Sequence, residues 1–184
     1  MNSEVISSRY AKALLAYADE TGSGNKVYSQ AIAIVQIMQD LTQLMDIIQK
    51  RDDVTLRKKA ELLSLAIGEP LAEELVRFME LVSTQRRMDK FHSMLLSYVS
   101  KYRQANNIKV GSLVTAVPEE ALKERLESIL SDRTDSKVEF SMTVDPELLG
   151  GFVFELDGYR LDASVRTRLD KIRQCLVDDN SRIV

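Results

Sequence analysis

The sequence predicts two structural classes in one chain: an N-terminal bundle of five or six helices, followed by a small C-terminal α+β domain. Three observations carry this. Residues 4–106 keep apolar residues at spacings of three and four and contain no convincing strand. From about residue 108 the period shortens to two, where Val138, Phe140, Met142 and Val144 alternate with Glu139, Ser141 and Thr143. Asp157-Gly158 then stands between FVFEL and YRL, a type I′ hairpin signal because both positions require positive φ. The boundary falls at Asn106-Asn107, giving domains 1–106 and 107–184.

The elements follow in order. Ile6, Tyr10, Ala13, Leu14 and Tyr17 line one face of a first helix, with Ser3 as its cap. After the turn GSGN (22–25), Val27, Ala31, Ile34, Val35, Met38 and Leu41 continue the rhythm through Leu44, Met45 and Ile48, with a break near residue 40. Thr55 caps a helix carrying Leu56, Ala60, Leu63 and Ile67, which Gly68 ends. Pro70 opens the next at its first turn, with Leu71, Leu75, Phe78, Met79 and Val82 on its apolar face. Met88, Phe91, Leu95, Tyr98 and Tyr102 mark the last helix of this half.

In the second half, residues 108–117 read as a strand in which Gly111 spoils the alternation and suggests a bulge. Pro118, Glu119 and Glu120 start a helix with Leu122, Leu126, Ile129 and Leu130 facing inward. Phe152, Phe154 and Leu156 share one face of the hairpin. Asp162 or Ser164 caps a closing helix whose expected inner stripe is Val165, Leu169, Ile172 and Leu176, with Arg166, Arg168, Lys171 and Arg173 on its other sides.

The chemistry of enzymes is missing. The 184 residues carry 25 basic and 28 acidic side chains, a net charge of −3, which argues against a nucleic-acid sleeve. A single cysteine, Cys175, and a single histidine, His92, cannot assemble the usual zinc sets, and no cofactor or metal is expected. An intracellular, reducing location fits; no signal peptide is read in the first residues, and no run approaches the roughly 20 apolar residues of a membrane span. Gly150-Gly151 precedes a strand, whereas a phosphate-binding glycine loop leaves a strand and enters a helix. GSGNK (22–26) follows a helix and reads as an interhelical turn. Asp157 and Asp162 are explained by turn and cap roles rather than as an acid–base pair. Large apolar residues on helices, Tyr10, Tyr17 and Phe78 among them, remain open to two readings: core, or a groove for an amphipathic helix of another chain. A helical adaptor, a basic-helix nucleic-acid binder and, last, an enzyme are the competing functional classes.

Two segments and a signature carry a resemblance. RYAKALLAYA (9–18), LVRFMELVSTQRRMDKF (75–91) and above all VDPELLGGFVFELDGYRLDASVRTRLDKI (144–172) resemble the delta subunit of the F-type ATP synthase, the oligomycin-sensitivity-conferring protein of mitochondria. The likeness covers nearly the whole chain, with Asp145, Gly150, Gly151, Asp157, Gly158, Asp162 and Ser164 as its structural signature near the stalk junction. Phe154, where a smaller aliphatic is usual, and Ala163, where glycine is more frequent, depart from the pattern.

The resemblance implies a non-catalytic stator subunit that links the catalytic head to the peripheral stalk and resists rotor torque. The helical domain is expected to bind the N-terminal helix of an alpha subunit through Tyr10, Ala13, Leu14 and Tyr17 of the first helix and Leu75, Phe78, Met79 and Val82 of the fifth. The C-terminal domain is expected to meet the C-terminus of a b-type stalk subunit. The implied location is the cytoplasmic face of a bacterial cell membrane, reached only through the complex, with no nucleic acid among the partners.

Overall fold

The computed structural model describes residues 3–51, 53–134 and 136–180. The chain divides into two units, Met1–Ala105 and Asn106–Val184.

The helical rhythm of the first unit resolves into α1 (Ser3–Glu20), α2 (Gly24–Asp40), α3 (Thr42–Lys50), α4 (Leu56–Ile67), α5 (Glu73–Thr84) and α6 (Phe91–Ala105), with a 3-10 turn at Met88–Lys90. The Ser3 cap lies outside the residues whose side chains are described. Phe91, Met94, Leu95 and Tyr98 of α6 are wholly buried. α1 and α2 pack on that helix, contributing Ala11, Leu14 and Ala18 from one and Val27, Ala31, Ile34 and Met38 from the other. The expected break near residue 40 is at Leu41, where α2 and α3 meet at 110°. Thr55 caps α4 through a 3.5 Å bond from the Lys58 N–H, and Gly68 ends it in the left-handed conformation.

Pro70 does not open α5. That helix starts at Glu73, and Pro70 lies in the extended approach to it. The reason is 40 residues away: the buried amide of Gln30 donates to the Glu69 carboxylate at 2.8 Å and to the Pro70 carbonyl at 3.0 Å, and accepts the Ala72 N–H at 2.7 Å. These bonds hold the segment extended until Ala72 can cap the helix.

The second unit contains β1 (Ile108–Thr115), α7 (Glu120–Thr134), β2 (Lys137–Val144), a 3-10 turn (Pro146–Leu148), β3 (Phe152–Leu156), β4 (Tyr159–Asp162) and α8 (Val165–Asn180). The sheet order is β2-β1-β3-β4. β1 and β2 are parallel and require a crossover, which α7 supplies; β3 runs antiparallel to β1 and β4 to β3. Leu113, Val138, Phe140 and Leu156 form the core, with Leu126, Leu130, Phe152 and Phe154 against it. Phe154, the departure noted in the sequence, stacks on Phe152 and meets Phe140 edge-on. Helix α7 also closes one sheet edge: Glu127 accepts the Phe140 N–H at 2.7 Å and Ser131 the Val138 N–H at 2.9 Å.

Three expectations for this unit change. No bulge sits at Gly111, whose register with Phe140 is continuous; a Cβ there would lie 2.6 Å from the Phe140 ring and 2.5 Å from the Glu155 carbonyl oxygen, so close approach excludes a side chain. Ile129 is exposed rather than inward. The stripe of α8 is not an inner one: Val165, Leu169 and Ile172 are exposed. Leu176, its fourth residue, lies outside those whose side chains are described. α8 makes its main contact with the Pro146–Leu148 turn, not with the sheet face.

Candidate partner-binding groove

Antiparallel neighbours α1 and α5 leave an apolar groove of about 210 Å³ between them, lined by Ala13, Leu14, Tyr17, Arg77, Phe78 and Leu81. Its floor is Leu14 and Phe78, 2% and 5% exposed. Ala13 keeps it open, because its methyl is the smallest side chain facing the gap. Leu81 forms one wall and leaves 47% of its surface to solvent.

Polar groups frame the apolar strip. Arg77 donates to the Tyr17 hydroxyl at 2.8 Å and pairs with Glu73 on its own helix, which fixes Tyr17 at the lip. At the other end Arg87 lies over the Tyr10 ring, 5.6 Å from its centroid, and donates to its hydroxyl at 3.3 Å. Tyr10 meets Phe78 edge-on at 6.4 Å, and Phe78 continues to Phe91 in the core. The groove is thus backed by packed aromatic rings and is held in shape without an occupant.

Of the residues expected here, Ala13, Leu14, Tyr17 and Phe78 line the groove, and Tyr10 supports its end. Leu75, Met79 and Val82 are not brought to it: all three have no exposed surface and belong to the core. Arg77, Leu81 and Arg87 were missed. Leu81 follows Phe78 by three positions, so helical spacing alone would have found it. Other hollows in this unit are more polar in their rims. One of 490 Å³ is lined by Lys50, Lys59, Arg86 and Asp89 among others, and one of 800 Å³ by Arg57, Glu61 and Glu80 beside Leu56 and Leu65.

The signature residues of the second unit form a corner. Asp145 accepts the Glu147 N–H at 3.0 Å and starts the 3-10 turn. Gly150 accepts the Val165 N–H through its carbonyl at 2.9 Å. Gly151 has φ +74°, and a Cβ on it would lie 2.3 Å from the Ala163 carbonyl oxygen. Asp157 and Gly158 make the two-residue turn with positive φ, and Asp157 pairs with Lys109 at 2.6 Å. Asp162 accepts from the Ser164 N–H (3.0 Å), the Ser164 hydroxyl (2.7 Å) and the Thr167 hydroxyl (2.9 Å). These bonds, the Ser164 N–H first, hold its carboxyl below the usual carboxylate range. Ser164, 1% exposed, caps α8 by accepting the Thr167 N–H.

Among the described residues no group of three metal-ligating side chains comes together. His92 is half-buried, its Nε2 has no partner, and desolvation lowers its pKa. Cys175 is exposed. No single described helix is long and apolar enough to cross a membrane.

The family model for the ATP synthase delta (OSCP) subunit matches residues 6–176. The chain is 40% identical to the ATP synthase subunit delta of Phocaeicola vulgatus over 184 residues, 98% of each chain. It is 36% identical to that of Bacteroides fragilis over 183 residues, again 98% of each. A chain in the cryo-EM structure of the Toxoplasma gondii mitochondrial ATP synthase hexamer superposes with a TM-score of 0.56 at 18% identity, over 93% of this chain and 97% of that one, a likeness of fold. With family model and full-length relatives agreeing, the chain belongs to the ATP synthase delta (OSCP) family, whose members are non-catalytic subunits of the F-type enzyme.

Proposed function

We propose that this chain is a stator subunit joining the catalytic head of the F-type ATP synthase to its peripheral stalk, where it resists rotor torque during proton-driven ATP synthesis. The N-terminal unit takes the N-terminal helix of an alpha subunit in the α1–α5 groove. The C-terminal unit meets the C-terminus of a b-type stalk subunit. The protein works at the cytoplasmic face of a bacterial cell membrane, which it reaches only through the complex.

The observation that carries this reading is the groove itself: a preformed apolar strip with Leu14 and Phe78 at its floor and Leu81 exposed on its wall. A joint under torque needs slow dissociation. Exposed ion pairs contribute only about 0–1 kcal/mol each, whereas an amphipathic helix seated on an apolar floor desolvates several anchors together. The two rim arginines orient an incoming helix rather than supply the holding energy.

NMR titration of the full chain with a peptide from the alpha N-terminus tests the assignment. Resonances of Ala13, Tyr17, Phe78 and Leu81 should shift together and saturate. A saturating titration that leaves these four unmoved removes the groove from the proposal.

A further inference from the structure

Arg86 stands in a conformation that glycine fills best. It follows Gln85, the cap at the end of α5, and takes φ +53°. The Arg86 N–H reaches the Ser83 carbonyl at 2.8 Å and the Arg87 N–H the Val82 carbonyl at 3.0 Å, the paired bonds that close a helix through one left-handed residue. At the end of α4 the same chain uses Gly68, φ +83°, for this conformation. Arginine there carries backbone strain that glycine avoids, and such strain collects at functional positions.

The Arg86 side chain lines the 490 Å³ hollow bounded by α3, α4, the end of α5 and the 3-10 turn after it. Lys59 stands in the wall, 4% exposed, with its Nζ fixed by the Ile48 carbonyl at 2.9 Å. Lys50 lines the hollow while paired with Asp46 at 2.6 Å. Gln49 and Ser83 add neutral donors. Asp89 is the one acid among the described lining residues, and it is exposed, so solvent screens it. The Arg86 guanidinium makes no hydrogen bond or ion pair with a described residue.

We propose that this hollow binds a small phosphate-bearing anion, with Arg86 as its main ligand and Lys59 as a fixed charge behind it. A guanidinium fork with ammonium, amide and hydroxyl donors offers more hydrogen bonds than the two oxygens of a carboxylate use, and suits a phosphate. The hollow is larger than one phosphate group, so pyrophosphate is the probe. It shares no lining residue with the α1–α5 groove, and the proposal does not depend on the stator reading. A cation placed only to complement the C-terminal end of α5 is the structural alternative.

The test is NMR titration of the full chain with pyrophosphate at constant ionic strength. The amides of Gln49, Lys59, Ser83 and Arg86 should shift together and saturate, with a Kd of about 1 mM or below. Arg86→Gly should weaken binding by about tenfold or more while raising the unfolding midpoint by about 1–4 °C, because the strain is relieved. Arg86→Lys, which keeps the charge and loses the fork, should bind between the two. A titration that does not saturate, wild-type affinity in Arg86→Gly, or equal affinity for succinate overturns the proposal. A lowered midpoint in Arg86→Gly overturns it as well, since the arginine then serves the helix end.

Discussion

Leu81→Asp tests the wall of the groove. Leu81 sits on the last turn of α5 with 47% of its surface exposed, so about half of its burial stabilises the folded unit and the other half is open to a partner. Full burial of a leucine is worth about 1.5–3 kcal/mol, and the exposed half leaves about 0.7–1.4 kcal/mol for a partner to gain. Aspartate forfeits that gain and adds the desolvation of a carboxylate against an apolar helix, about 1–3 kcal/mol even where a polar partner is near. Arg77, one turn earlier, is committed to Glu73 and the Tyr17 hydroxyl and offers the new acid little. The sum is about 2–4 kcal/mol, a loss of roughly 30- to 1,000-fold in affinity. Leu81→Ala, which forfeits the area alone, should lose about 3- to 10-fold. Calorimetric titration of the full chain with the alpha N-terminal peptide reads both, while thermal unfolding should fall by about 1–2 kcal/mol, the share of the leucine already buried in the free chain. Wild-type affinity in Leu81→Asp, with the chain still folded at the temperature of the titration, would show that the peptide does not lie along this wall.

Three further changes test the framework that holds these surfaces. Gly151→Ala places a Cβ 2.3 Å from the Ala163 carbonyl oxygen at φ +74°, and should destabilise the chain by about 2 kcal/mol or more, seen as a lower unfolding midpoint. Gln30→Ala leaves the Ala72 N–H and the Pro70 carbonyl without their partner and should cost about 2–3 kcal/mol in denaturant unfolding. Asp162 has a folded pKa below its unfolded one, so its contribution is complete above the ordinary carboxylate range and is lost as pH falls through the depressed value. Asp162→Asn should therefore flatten the acid end of the stability–pH curve below about pH 4 and leave its slope at neutral pH alone; an unchanged acid limb refutes the assignment.

Local chemistry made much of this architecture readable. Apolar spacing marked the helices, Gly68 and Thr55 marked the ends of α4, and Asp157-Gly158 marked the hairpin, because each acts over a few residues. What stayed hidden is non-local. The rule for proline at a helix start is sound, yet Gln30 overrides it at Pro70 from another helix. The missing alternation at Gly111 suggested a bulge, while its cause is the Phe140 ring on the neighbouring strand. Periodicity found the apolar face of α5 but not its division: Leu75, Met79 and Val82 fill the core, and Phe78 with Leu81 at the margin makes the groove. For α8, a stripe at helical spacing reads the same whether its cover comes from the same chain or another.

The order of strands has a consequence for synthesis. β1 leaves the ribosome before its neighbours but ends between β2 and β3, so both of its edges wait for chain not yet made. Thirty-six residues separate the end of β1 at Thr115 from the start of β3 at Phe152, about 2–7 s at ordinary elongation rates. The helical unit ahead of it is closed largely by pairing among its own helices and can fold in the interval. A nascent chain therefore carries a finished helical bundle and a bare apolar strand at once, and slow codons placed between residues 116 and 151 would lengthen its exposure to aggregation.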